Sequence, residues 1–499
     1  MKSWLKECEL NHPYCKPNID GLPKRLIRVG SPTEPYPRLV YTQDLDPRNI
    51  RYASLSYCWG KSKTATTTKT TEVSYLDKIS LESLPQTIRD ALTISQKLNI
   101  PYLWVDALCI VQDDEHDWQL EASKMANIYF GNTLTIAATD AEDSSGGFFA
   151  CPSTTDAHES NSDLFVIGRP NESNLHLQIR LLGGTSDGKT SVLHTRGWTL
   201  QEMVLSHRIV QFTQSELHWR CRSAWWTESG MSYDLSSTIY GNVPLLDNIN
   251  LSKPSSTCSS TWWKWIENYS NRHLTYVKDR IPAIVGLLNY YQKLTDDVSI
   301  LGLWKSTLPQ DLLWMRLFSL PDSIPDSKIP TWSWLSCPAG VVFDFFSWSM
   351  DNSDVQDHIT VNDYELCWTG EPYVSDIKSS SLVITGPVKE AFLEIAREKS
   401  NPPYFNVDHE IPNFAENPLP WRCAAQFDRE CQRSPGKWLC LLIRTRVVVD
   451  TGYRSETFLI LEQVCTETDK ETFRRIGLGS FRGYNGSFDL SIRRTINFV

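Results

Sequence analysis

Apolar residues in the first half of the chain fall into short continuous runs separated by helix-like spacings. Residues 52–58 and 133–139 are strand-like runs, and residues 101–111 form a longer one that only Asp106 interrupts. A helix is predicted after Leu84-Pro85, where apolar positions recur every three to four residues. This alternation predicts an α/β domain built on a mainly parallel sheet.

Two more helices complete this pattern. One follows Asp113 and Asp114, whose negative charges suit the positive N-terminal end of a helix. Another begins between Arg196 and Glu202. The segment 140–192 is rich in Ser, Gly, Asp and Asn, so it predicts a long surface loop or insertion that could serve as a lid.

The second half of the chain has a different pattern. Helical spacing at 260–292 gives way, from about residue 330, to short strands such as 381–385 and 438–443. Because 499 residues exceed what one core usually supports, we predict at least two domains, the second an α+β, β-rich region. The predicted boundaries are an N-terminal extension at 1–39, the α/β domain at 40–215, a mainly helical region at 216–330 and a β-rich region at 331–499.

Charge and hydropathy exclude two classes of protein. The chain has 49 Lys+Arg and 59 Asp+Glu, a formal charge of -10 and no long run of like charges, which argues against a nucleic-acid partner. The sequence lacks both a run of roughly 18 apolar residues for a membrane span and the apolar part of a secretion signal. We therefore expect a cytoplasmic protein whose 13 scattered cysteines are reduced.

Several cysteines and histidines are candidates for metal binding or nucleophilic catalysis. Cys8, His12 and Cys15 are zinc-type ligands, but a structural site needs a fourth and no second ligand pair follows at finger spacing, so no metal is predicted. Cys58 and Cys109 lie in apolar runs. No spacing joins them to a histidine base, so inert buried thiols are the expectation.

Several motifs resemble, in the right order, the fungal heterokaryon incompatibility (HET) domain proteins. They are LSYCWG at 55–60, YLWVDALCIVQDD at 102–114 and RGWTLQE at 196–202, with weaker similarities in the second half. The resemblance assigns 40–215 as the HET domain and implies a role in self/non-self recognition and regulated cell death. At Trp219-Arg220-Cys221 the chain departs from relatives that carry an acidic residue in the middle position.

The HET domain is itself considered similar to TIR domains, which have a flavodoxin-like sheet and in some cases hydrolyse NAD. Ser56-Tyr57 is similar to the end of the first TIR strand, and residues 198–202 are similar to the TIR segment that carries the catalytic glutamate. This resemblance makes Glu202 the candidate catalytic residue and NAD the candidate substrate, with no other cofactor required. The alternative is that Glu202 is a solvated or capping acid in the first turn of its helix.

The remaining candidate residues would bind the nucleotide. Tyr57, Trp59 and Trp198 could stack on its rings, and Gly60 and Lys61 could let a phosphate approach, although aromatic residues at such positions are more often packing residues. Asp106 could bind ribose hydroxyls. Arg196 could hold a phosphate or pair with Glu202 or another acid.

Two other functional classes stay open at this level. The chain could be a non-catalytic signalling module that acts through self-association or a protein partner, or an enzyme recruited to fungal secondary-metabolite biosynthesis. Exposed tryptophan pairs at 225–226 or 262–263 would favour the interaction module, whereas Glu202 in a cleft beside residues 57–61 would favour an enzyme.

Overall fold

The computed structural model places the chain in two compact units, Met1–Gly241 and Asn242–Val499. It describes all residues except 18–20, 32–33, 61–64, 149–163, 168–176, 181–190, 214–215, 234–255, 318–327, 344–352, 396–404, 408–422, 429–435, 465–470 and 484–486. No helix in the described part of the chain combines the length and apolar character needed to cross a membrane.

The first unit surrounds a nine-stranded sheet with short helices. Its helices are α1 Lys2–Asn11, α2 Glu72–Asp77, α3 Gln86–Lys97, α4 Asp106–Cys109, α5 Glu115–Ser123, α6 Met125–Gly131 and α7 Thr199–Leu205. Its strands are β1 Arg25–Arg28, β2 Arg38–Tyr41, β3 Tyr52–Ser56, β4 Tyr102–Trp104, β5 Leu134–Ala138, β6 Leu164–Ile167, β7 Leu177–Arg180, β8 Arg208–Phe212, β9 Leu217–Cys221, β10 Trp225–Thr227 and β11 Ser232–Tyr233. Strands β6 and β7 form a separate hairpin.

The predicted strands 52–58, 102–107 and 133–139 do lie in one sheet, whose order is β11-β10-β9-β8-β5-β3-β4-β1-β2. Strands β4, β3, β5 and β8 pair in parallel, and the remaining pairs are antiparallel. The sheet is therefore mixed, and the prediction of a mainly parallel sheet holds only for its centre. Every residue of β3, β5 and β8 is buried, as expected for parallel strands covered on both faces.

Two of the predicted elements are divided in the structure. The apolar run 101–111 is a strand only as far as Trp104, and Asp106 begins the short helix α4 rather than ending the strand. The helix predicted after Asp114 is split into α5 and α6 at Lys124. In the first place the nearly continuous apolar residues suit a strand and a buried helix equally, so the sequence pattern does not mark the break.

Among its described residues, the second unit combines three α-helices with a large sheet. The helices are α8 Ser256–Ser270, α9 Pro282–Thr295 and α10 Leu308–Asp311. The strands are β12 Ser299–Ile300, β13 Leu303–Trp304, β14 Met315–Arg316, β15 Val341–Val342, β16 Ser353–Asp357, β17 Thr360–Trp368, β18 Ile377–Ile395, β19 Phe405–Val407, β20 Cys423–Phe427, β21 Gly436–Val448, β22 Arg454–Val464, β23 Thr472–Gly483 and β24 Ile492–Phe498. Helices followed by a β-rich region agree with the predicted order.

Strand pairing closes the large sheet on itself. Its order is β16-β21-β22-β23-β20-β19-β18-β17, and β18 also pairs with β21, while β24 pairs with β18 and β23. Apolar side chains of these strands form a core that includes Leu393, Phe427, Phe458, Ile460 and Ile476. Most of the tryptophans among the described residues of this unit, such as Trp262 and Trp334, are fully buried and anchor its core.

Candidate functional site

The carboxyl end of β3 meets the N-terminal part of α7. Strand β3 ends at Ser56, and its hydroxyl donates a hydrogen bond to the Glu202 carboxylate. The position of α7 is fixed by Thr199, whose hydroxyl donates to the Leu193 and Arg196 carbonyls at 2.8 and 2.9 Å. Loops after parallel strands converge at one sheet edge, which is why two segments 146 residues apart meet here.

Glu202 is buried rather than solvated. Its side chain is 8% exposed, and all seven residues of α7 are buried. Burial is the main cause that raises the pKa of Glu202 to about 7; the Asp106 charge acts in the same direction, whereas the Ser56 hydrogen bond and the Arg196 charge oppose the rise. Glu202 does lie in the first turn of its helix, but its burial contradicts the alternative that it is a solvated acid.

Asp106 lies close to the same place. Its carboxylate accepts hydrogen bonds from the Trp59 indole at 2.9 Å and from the Ala107 amide at 2.7 Å. Desolvation raises its pKa, although these donors and the Arg196 charge act in the opposite direction. Asp106 therefore holds the Trp59 ring in place and adds a second carboxyl to the surroundings of Glu202.

Tyr57 is the second aromatic residue of this region. It is 3% exposed, and within the described residues its hydroxyl has no hydrogen-bond partner of good geometry. Burial raises its pKa well above the usual value, and the nearby Asp106 charge adds to this effect. The Asp106 carboxylate is near enough to interact with the Tyr57 hydroxyl, so the two groups belong to one buried polar cluster.

Arg196 supplies the positive charge of the cluster. One of its guanidinium nitrogens donates to the Tyr57 carbonyl. Burial works to lower its pKa, but the neighbouring Cys58 side chain and the Glu202 and Asp106 carboxylates together raise it. Arg196 thus stabilises the ionised forms of Glu202 and Asp106. Its predicted role in binding a phosphate stays a prediction.

Other predicted ligand residues surround this centre with differing exposure. Gly60 is exposed with φ +75°, and an added Cβ would lie 2.1 Å from the Asp143 Cβ, so close packing already requires glycine there. Trp198 is half-buried, and its ring contacts Trp118 edge-on at 6.3 Å. Lys61 lies outside the described residues, as does most of the predicted 140–192 lid.

The acids that follow β4 have structural partners. Asp114 caps α5 by accepting from the His116 and Asp117 amides, and Asp113 accepts from the Lys69 amide at 2.8 Å. Asp117 forms a bidentate ion pair with the buried Arg25, at 2.8 and 2.9 Å. These contacts give Asp113, Asp114 and Asp117 roles in stabilising the fold.

The cysteines considered as nucleophiles are buried in apolar surroundings. Cys58 belongs to a core cluster with Ala137, Leu193, Met203 and Ile209, and burial raises its pKa. Burial also raises the pKa of Cys109 to about 12. Both thiols stay protonated at neutral pH, as the sequence predicted for inert thiols.

The tryptophan pairs do not form exposed patches. Trp225 and Trp262 are 5% and 0% exposed, and Trp226 and Trp263 are half-buried. Trp263 donates to Asp311 at 2.7 Å, which gives it a structural partner. These tryptophans therefore do not form the exposed patches that would favour an interaction module.

Two contributors to the cluster were not selected from the sequence. Ser56 was noted only as part of a motif, yet it is the hydrogen-bond donor to Glu202. The Tyr129 hydroxyl donates to the Leu55 carbonyl at 3.4 Å and also lowers the pKa of Glu202. A polar residue at the end of an apolar strand was the available signal for Ser56, whereas Tyr129 lies on a helix and gave none.

Comparison with known proteins gives one finding. Neither a curated protein nor a solved structure matches the chain significantly. A family model matches from Tyr52, the first residue of β3, to Glu202, and this span encloses Ser56, Asp106 and Arg196. Over residues 52–202 the chain is therefore similar to the family described as Heterokaryon incompatibility protein (HET).

Proposed function

We propose that this chain acts in heterokaryon incompatibility-type self/non-self recognition as an intracellular cell-death effector, and that its HET-like segment hydrolyses NAD. The family match over 52–202 supports the first part. The observation that carries the second is Glu202, a buried carboxyl with a pKa of about 7, held by Ser56 close to Asp106 and Arg196. Buried groups with strongly perturbed pKa values concentrate at functional sites.

The chemistry needs only one well-placed carboxylate. Cleaving the bond between the ribose C1′ and the nicotinamide nitrogen releases neutral nicotinamide, since the ring was cationic, and water then adds to C1′ and loses a proton. Ionised Glu202 would stabilise the oxocarbenium-like charge on the ribose as the bond breaks. The products are nicotinamide, ADP-ribose and one proton.

The neighbouring residues fit supporting roles in this proposal. Asp106 and the Tyr57 hydroxyl beside it would bind ribose hydroxyls, and Trp59 and Trp198 would contact the rings. Arg196 favours the ionised form of Glu202, which is the form required. The proposed likeness to TIR domains rests on the same short segments, Ser56-Tyr57 and 198–202.

The burial of Glu202 shapes the experiment. With 8% of its side chain exposed, the carboxylate becomes accessible to NAD only after local opening or assembly, so nicotinamide release should be measured in dilute and in concentrated or crowded protein. Glu202→Gln keeps the size and hydrogen-bonding capacity of the side chain but removes its charge. We expect it to abolish turnover, about a hundredfold loss or more, while the protein stays folded.

The matched control is Glu121→Gln. Glu121 is a fully buried carboxylate of the same unit, but its partners are the Lys24 amide and the Lys124 ammonium. Turnover per folded molecule should be unchanged in this variant. If the wild type releases no nicotinamide under any condition, the function is that of a non-catalytic signalling module. If Glu202→Gln releases nicotinamide as fast as the wild type, the protein is still an enzyme, including a biosynthetic one, but Glu202 is not part of its mechanism.

A further inference from the structure

Four potential metal ligands converge at one place in the first unit. The Sγ atoms of Cys8, Cys15 and Cys221 and a ring nitrogen of His12 all lie within 4.8 Å of one another. The His12 Nδ1 atom is 3.3 Å from the Cys221 Sγ atom. The three cysteines are buried and His12 is half-buried, so the donors form an enclosed group rather than a chance surface cluster.

Local structure in the first 15 residues brings three of these ligands together. Cys8 lies in α1, and His12 follows directly after the last residue of that helix, four positions later. A single 3-10 turn at Pro13–Cys15 then returns Cys15 toward Cys8. The fourth ligand, Cys221, is the last residue of β9, more than 200 positions further along the chain.

A buried cation and a hydroxyl lie beside two of the sulfurs. The Arg208 Nε atom donates to the Cys8 Sγ atom at 3.1 Å, and Arg208 is 3% exposed. The Ser223 hydroxyl lies 3.9 Å from the Cys15 Sγ atom. A buried guanidinium beside the Cys8 sulfur offsets part of the negative charge that several thiolates would bring to one metal ion.

We propose that Cys8, His12, Cys15 and Cys221 bind one zinc ion in a tetrahedral structural site. Three thiolates and one imidazole are a preferred zinc donor set, and four protein ligands leave no open position for catalysis. Zinc–sulfur bonds of about 2.3 Å place tetrahedral sulfurs about 3.8 Å apart, within the observed spread of the four donor atoms. Binding releases the thiol protons to solvent and changes no oxidation state.

The fold explains why the sequence predicted no metal. The first three ligands were visible as a cluster, but the missing ligand is supplied by a distant strand. Its neighbour Arg220 is the residue that departs from the acidic pattern of relatives, and its guanidinium donates to the Met203 carbonyl of α7 at 2.6 Å. The ion would thus fasten α1 to the strand that supports the helix carrying Glu202.

The test measures the zinc content of the full-length protein by mass spectrometry of the metal. The protein is expressed with zinc, purified with a histidine-free tag and dialysed before the measurement. We expect about one zinc per chain in the wild type and below about 0.1 in Cys221→Ser. The matched control is Cys109→Ser, which changes another fully buried cysteine of the same unit and should retain about one zinc per chain.

A second pair of variants separates metal binding from folding. His12→Ala should lose zinc, whereas His12→Cys should retain it, because four thiolates also form a tetrahedral zinc site. Cobalt added to metal-free wild type should give the intense visible bands of tetrahedral cobalt with thiolate ligands. A folded wild type without zinc or cobalt would overturn the proposal, as would full zinc content in Cys221→Ser or a disulfide among the three cysteines in thiol titration.

Discussion

Replacing Glu202 by Gln should make the stability of the protein fall less as pH rises, even as it removes the proposed activity. The folded state raises the pKa of Glu202 from 4.5 to about 7, so it binds this proton more tightly than the unfolded chain does. For a raised pKa the stabilising contribution is complete below pH 4.5 and is lost as pH rises through about 7. Glutamine does not titrate, so the variant avoids this loss.

The magnitude follows from the two pKa values. At about 1.4 kcal/mol per pKa unit, the whole change amounts to about 3 kcal/mol, of which about 2 to 3 kcal/mol falls between pH 5 and 8. Any fixed effect of the amide is the same at both pH values. The free energy of unfolding of Glu202→Gln minus that of the wild type should therefore rise by about 2 to 3 kcal/mol from pH 5 to pH 8.

Urea denaturation followed by tryptophan fluorescence at several pH values measures this difference. Asp117→Asn is the control, because the pKa of Asp117 is lowered to about 2 by Arg25 and Lys24 despite its desolvation, so its contribution is constant between pH 5 and 8. Parallel stability curves for the wild type and Glu202→Gln would refute the assignment of a buried carboxyl that titrates near neutral pH.

Two further changes test the structure around the site. Asp117→Asn should lower the free energy of unfolding at neutral pH by about 2 kcal/mol or more in urea denaturation. This loss of stability should shrink as pH falls from 3.8 toward 2, because the wild-type carboxylate becomes protonated as the pH nears its pKa of about 2. Gly60→Ala should destabilise by more than about 1 kcal/mol in thermal unfolding, since it adds a contact with Asp143 to the strain of a positive φ. Gly230→Ala, with a similar φ and nothing within 4 Å, isolates the strain alone, so an equal loss in both variants would contradict the packing argument.

The elements that frame the site were predictable because local patterns determine them. Strands β3 and β5 are short, fully buried segments whose only polar residues are Ser and Thr, and α3 keeps a clear helical period after Pro85. The sequence pattern does not predict the antiparallel strands at the two sides of the sheet, which are β1 and β2 on one side and β9, β10 and β11 on the other. They are as short as two residues, so neither periodicity nor composition distinguishes them from loops.

The burial of the site was harder to predict than its position. The α7 sequence TLQEMVL contains three polar residues, which suggests a solvent-facing side, yet Thr199, Gln201 and Glu202 are all buried. Their burial depends on contacts with segments far away in the chain, such as the end of β3. The same reason hid Cys221, because only the completed sheet brings β9 beside α1.

The most direct test of the central proposal is the pH dependence of NAD cleavage, measured as kcat/KM for nicotinamide release between pH 5.5 and 8.5. Because the ionised carboxylate is the required form and its pKa is about 7, kcat/KM should rise about tenfold per pH unit below neutrality and level off above about pH 7.5. Glu202→Gln should release no nicotinamide at any pH. A profile that is flat or falls with pH, or the absence of release by the wild type across the range, would contradict the proposal.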